Sequence, residues 1–96
     1  MWTPSSEQVK KYKSALKGWA KRIYYDGSVY VKFADAYHNG THVEFLTSRI
    51  DEYLVDDVHA GKISKLALKT ERAFFALIDM NDLADTLMSY NPSEDD

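Results

Sequence analysis

The chain has no cysteine, two prolines and four glycines in 96 residues. Without cysteine there is no disulfide framework, no thiolate zinc site and no thiol nucleophile. A small domain lacking such staples is expected in a reducing compartment, and we read the chain as cytoplasmic. No apolar run approaches ~18 residues, so neither a membrane span nor a membrane partner is expected. The opening Met1-Trp2-Thr3-Pro4-Ser5-Ser6-Glu7 lacks the basic segment and apolar run of a signal peptide. The glycines are scattered turn residues, which excludes a phosphate-binding loop. No cofactor is implied.

What remains is globular. Hydrophobic residues make up 45% and charged residues 28%, which argues against disorder. At this length one domain is expected, over residues 1–90. The polar, acidic stretch 91–96, opened by Pro92, reads as a disordered tail. Seven of the thirteen aromatics are Tyr. Such a composition suits a binding surface, and equally a small core filled with large side chains.

Charge is sorted along the chain. Residues 1–33 hold seven Lys/Arg and two acids; residues 34–96 hold five Lys/Arg and thirteen acids. The total of −3 therefore hides a basic start and an acidic remainder. This bears on partners rather than on fold.

Residues 5–24 predict an amphipathic helix. Val9, Tyr12, Leu16, Trp19, Ala20 and Ile23 recur at helical spacing. Either Thr3-Pro4 or a Ser5–Gln8 capping box would start it. Asp26-Gly27 would end it, with Gly27 as a left-handed cap. Lys10, Lys13, Lys17 and Lys21 form a stripe beside the apolar face, flanked by Lys11 and Arg22.

Residues 28–46 change period. Ser28 to Tyr37 is β-rich and alternating, His38-Asn39-Gly40 is a turn signal, and Thr41 to Leu46 alternates again. These features predict an antiparallel hairpin. A three-residue loop with left-handed Gly40 puts Val29, Val31, Phe33, Val43 and Phe45 on one apolar face. Arg22 to Tyr25 could add a third strand. A rival, all-helical reading rests on Thr41-His42-Val43-Glu44 as a capping box and on Val29, Phe33, Ala36 and Tyr37 as one helical face.

Residues 48–59 predict a helix capped by Ser48 and closed by His59-Ala60-Gly61. A long last helix is expected over 64–90. Its inner face would be Ile63, Leu66, Ala67, Thr70, Ala73, Phe74, Leu77 and Ile78. Leu68 and Phe75 fall on another side, and beyond residue 79 the apolar set rotates to Leu83, Leu87 and Met88. A kink or a fresh cap at Asn81 explains the rotation. Being apolar on several sides, this helix is expected to be either the central helix of the domain or part of an oligomer interface through Leu68, Phe75, Leu83 and Leu87.

Candidate chemistry is sparse. His38 and His42 are separated by a turn signal, and no third ligand is near, so no metal site is expected. Asp57 falls by helical angle among Ile50, Tyr53 and Leu54, where a buried carboxylate would be a perturbed acid, but the commoner reading of such a position is a residue at a fraying helix end. Asp79 to Asp82 lacks the Gly and Glu of a calcium loop. No Ser, His and acid grouping can be assembled, so no enzymatic activity is expected.

The expected architecture is thus α+β: an N-terminal amphipathic helix, a short hairpin or meander, and two C-terminal helices, with an all-α bundle as the alternative. The expected function is a non-enzymatic protein-binding module: an inhibitor, adaptor or small regulatory subunit. It would use Lys10, Lys13, Lys17, Lys21 and Arg22 and form a homo-oligomer. Nucleic-acid binding through the same face is the alternative. In its general look, small, unstapled, acidic and Tyr-rich, the chain resembles phage- or mobile-element-encoded proteins that act on host machinery.

Overall fold

The computed structural model describes residues 5–94. They form five helices: α1 (Ser6–Tyr24), α2 (Gly27–Asn39), α3 (His42–His59), α4 (Lys65–Phe75) and α5 (Met80–Met88), followed by a single 3₁₀ turn at Pro92–Glu94. No strand occurs among the described residues. The expected α+β architecture is therefore corrected to an all-helical bundle. The Thr3-Pro4 cap and tail residues Asp95 and Asp96 lie outside the described residues.

α1 begins as its capping box predicts. The Gln8 amide donates to Ser5 Oγ at 3.2 Å, and the Ser5 amide donates to Gln8 Oε1 at 2.9 Å. Its buried stripe is Leu16, Ala20 and Ile23. The helix stops at Tyr24, but Gly27 is not a left-handed cap: it opens α2 after only two intervening residues. Arg22 to Tyr24 is the last turn of α1 rather than a third strand.

The segment expected to be a hairpin is α2 and the first turns of α3. Its apolar residues satisfy two periods at once, and burial decides between them. Val29, Phe33 and Ala36, spaced four and three apart, are buried, whereas Val31 is 61% exposed. A hairpin would have buried Val31 beside Phe33. The helix also satisfies its backbone locally, while an isolated two-stranded ribbon is marginal in water.

Gly40 does adopt the left-handed conformation expected of it, with φ of 75°, but as a helix terminator. Its amide and that of Thr41 reach back to the Tyr37 and Ala36 carbonyls at 3.3 and 2.8 Å, a Schellman closure. Gly61 closes α3 in the same way. Its φ is 75°, and the Lys62 amide donates to the Asp57 carbonyl at 2.8 Å. A Cβ at Gly40 would meet nothing within 4 Å, so the cost of Gly40→Ala is conformational alone. We expect a loss of roughly 1–2 kcal/mol in urea denaturation, with the fold retained.

The long last helix is divided. α4 starts at Ser64, whose Oγ accepts from the Ala67 amide at 3.0 Å. It ends at Phe75, and α5 restarts at Asp79, whose carboxylate accepts from the Asn81 amide at 2.8 Å. The restart lies two residues before the expected Asn81 cap. The rotation of the apolar set is this break.

The core sits between α1, α2, α3 and α5. Its fully buried large side chains are Ile23, Phe33, Leu46, Ile50, Leu83 and Leu87. α1 packs most extensively on α5, and α3 touches α2, α4 and α5. α4 lies at the edge, against α3, and contributes no buried residue. Its Leu68, Phe74 and Phe75 are half-buried against the core, while Leu66 is 80% exposed. The inner face expected for this helix is thus partly inverted: Leu68 and Phe75 face the domain, and Leu66 and Leu77 face outward.

Candidate functional site

The charge that is sorted in sequence is paired again in space. α1 carries six cations and one acid, and it lies along α5, whose Asp82 and Asp85 follow the capping Asp79. The Tyr12 hydroxyl joins the two helices. It donates to Asp82 Oδ2 at 2.9 Å and accepts from the Asp79 amide at 3.0 Å. Burial is the main reason its pKa is raised above the ordinary tyrosine value. Lys13 shares a crevice with Asp82 and Asp85. The basic helix therefore meets part of its counter-charge within the fold.

Lys10, Lys13, Lys17 and Lys21 all lie on the exposed side of α1. Arg22 does not belong with them. Its guanidinium makes two 2.9 Å hydrogen bonds to Asp57, Nη1 to Oδ2 and Nη2 to Oδ1. It also lies over the Tyr53 ring, 4.2 Å from the centroid, and 5.7 Å from that of Trp19. Such a bidentate, ring-stacked pair fixes α1 against α3. Asp57 is half-buried and paired rather than at a fraying helix end. Its pKa is lowered, above all by the Arg22 hydrogen bonds, so it is a structural anion rather than a protonated acid. Arg22 is correspondingly raised, first by the same hydrogen bonds.

The remaining candidates separate as follows. Leu68 and Phe75 are half-buried against α3 and the core. Leu83 and Leu87, 0% and 1% exposed, are core residues of α5 and are not available to a partner. His38 is exposed near the end of α2, while His42 turns to α5, its Nε2 3.0 Å from Asn81 Oδ1. No group of three His, Cys, Asp or Glu side chains that could hold a metal occurs among the described residues.

One surface escapes the sequence. α4 does not close onto the start of α1, and a groove of about 580 Å³ lies between them. Gln8, Val9, Lys11, Tyr12 and Lys13 line one wall; Phe74 and Leu77 line the other. Leu77 is 76% exposed and Val9 37%. Lys11 bridges the groove, with its ammonium 5.0 Å from the Phe74 ring centroid. A volume of this size falls within the range of ligand-binding clefts. Phe74 and Leu77 belong to the face expected to be buried, so periodicity hides the groove. The available signal is the surplus: the last third of the chain carries more apolar residues than one inner face can use.

At the other end of α1 is a cluster of tyrosines. Tyr24 packs against Tyr25, Tyr30 and Tyr90 with ring centroids 5.3, 5.3 and 4.9 Å apart. These contacts tie the chain's last described segment to the α1–α2 corner. The Tyr-rich composition is thus spent partly on structure, although Tyr25 stays 63% exposed.

No family model matches the chain, and neither a curated protein nor a solved structure matches it. No helix among the described residues is long and apolar enough to cross a membrane.

Proposed function

We propose that this chain is a non-enzymatic protein-binding module, an inhibitor, adaptor or small regulatory subunit, that meets its partner on the outer surface of α1 and α4. One observation carries the reading: Lys11 and Lys13, two of the exposed lysines of α1, line an open apolar groove, so charge for steering and apolar area for affinity lie together. The ordinary fate of an apolar helix face is burial, and α4 leaves Leu66 outside with Leu77 just beyond it. The lack of cysteine supports a reducing compartment such as the cytoplasm.

The lysine face tests the reading. Exchanging Lys10, Lys13, Lys17 and Lys21 together for Glu should lower partner capture from native cells by at least about tenfold, with the helical circular dichroism retained. Capture unchanged by the exchange would remove the lysines from the docking surface.

Nucleic-acid binding is the second reading, and it shares the lysines. Against it, α5 and α3 bring acids to the same bundle, and the chain is acidic overall. It requires binding of labelled DNA or RNA that weakens steeply with salt, and no shift at low salt eliminates it. Self-association is supported by the exposed Leu66 and Met88. Sedimentation that shows a strict monomer at high concentration removes that part.

A further inference from the structure

We infer that the groove between α1 and α4 receives an acidic amphipathic helix of a partner protein. This rests on the protein-binding reading and names the chemistry of the partner.

The chemistry of the two walls selects the occupant. The apolar part of the lining is Val9 and Tyr12 on one wall and Phe74 and Leu77 on the other. The charged lining is Lys11 and Lys13, the latter shared with Asp82 and Asp85 in the adjoining crevice. Lys10 lies beside them on the exposed side of α1. A partner segment therefore needs large apolar side chains on one face and acids along its flanks. A helix fits better than an extended strand. One wall is α1 and the other is the end of α4 with the turn that follows it, and among the described residues there is no strand whose edge an extended segment could join. Apolar side chains at i, i+3 or i+4, and i+7 enter a trench between helices by the same ridge-and-groove fit that packs helices together. The site is also preorganised. Tyr12, one of its lining residues, is held by Asp79 and Asp82, and Lys11 already bridges the two walls.

The probes are three designed helical peptides with one apolar face of leucines and with flanks of Glu, Gln or Lys. Binding to the full chain is read by fluorescence anisotropy, and the site by amide chemical shifts. The Glu-flanked peptide should bind about tenfold more tightly than the Gln-flanked one, and the Lys-flanked one more weakly still, with the differences shrinking as salt is added. Shifts should centre on Val9, Tyr12, Phe74 and Leu77. Leu77→Glu, at an exposed position, should reduce binding of the Glu-flanked peptide at least about tenfold without altering the melting temperature.

Equal binding by the three peptides, shifts centred elsewhere, or binding indifferent to Leu77→Glu overturns the inference. So does a dimer that Leu77→Glu converts to monomer, since the groove would then hold a second copy. Failure of the broader reading looks different. A photo-crosslinker at position 10 that captures a protein from native cells, while one at position 77 does not, leaves a binding module without this groove. Capture at neither position, with no peptide bound, removes both.

Discussion

Phe33→Ala is expected to cost roughly 3–5 kcal/mol of stability, while Val31→Ala two residues away changes it by less than about 0.5 kcal/mol. Phe33 is fully buried, with its ring 6.3 Å from Tyr30 and 5.9 Å from Tyr37. Truncation removes a large apolar side chain from the centre of the bundle and leaves a cavity. Val31 points outward on the same helix, and alanine is the better helix former, so its replacement is neutral or slightly stabilising. Since domains of this kind are stable by about 5–15 kcal/mol, the first change consumes much of the total. Urea midpoints of the two variants, with unchanged slope, make the comparison. It also separates the two readings of this segment. In a hairpin the residues share one apolar face, and both truncations would be costly. Similar, large losses at 31 and 33 would overturn α2.

That contrast shows where the sequence is ambiguous. The Ser5–Gln8 box, the Ser64 cap and the Gly61 stop are each a short-range device, in which residue type and spacing suffice to fix the hydrogen bonds. They are legible from sequence, and so are the inner stripe of α1 and the rotation that marks the α4–α5 break. Residues 28–46 are not legible in that way. Val29, Val31 and Phe33 fit an alternating strand, and Val29, Phe33 and Ala36 fit a helix. Only the position of α1 and α3 around them decides which face is inside. Asn39-Gly40 compounds the ambiguity, because left-handed glycine serves a hairpin loop and a Schellman cap equally well.

The candidate site divides along the same line. The lysine stripe follows from α1 periodicity, which is local. Three other features depend on contacts distant in sequence. Arg22 leaves the stripe because Asp57, thirty-five residues on, holds it. Leu83 and Leu87 leave the expected interface because α5 packs on α1 and α3. The groove exists because α4 is held at the edge by α3, where Arg72 Nε donates to Asp51 Oδ1 at 2.9 Å. A one-dimensional reading finds the surplus of apolar residues in α4 and α5, but which of them remain uncovered is set by the bundle.

A second large effect is expected at high pH, through Tyr53. Its pKa is pushed up from 10.0 to about 12, first by burial and then by the hydrogen bond it donates to Asp26 at 3.0 Å. A folded-state value above the unfolded one means that the contribution is complete below about pH 10 and is lost as pH rises through about 12. The gap between the two values corresponds to roughly 2–3 kcal/mol. The site explains the size of the effect. Ionising Tyr53 would put a phenolate beside the Asp26 carboxylate and unseat a ring that stacks on Trp19 at 6.3 Å and carries the Arg22 guanidinium. Tyr53→Phe keeps the ring and removes the titration. It should cost about 1 kcal/mol near neutral pH for the lost hydrogen bond. Between pH 10 and 12 the original chain should then lose this advantage and fall below the variant. Tyr12, also raised by burial, leaves a residual slope common to both. Urea denaturation at steps from pH 9 to 12, with tyrosinate absorbance followed in parallel, measures the crossing. Parallel stability profiles for the two chains would show that Tyr53 ionises as an exposed tyrosine does, and would break the link it makes between α3 and the α1–α2 corner.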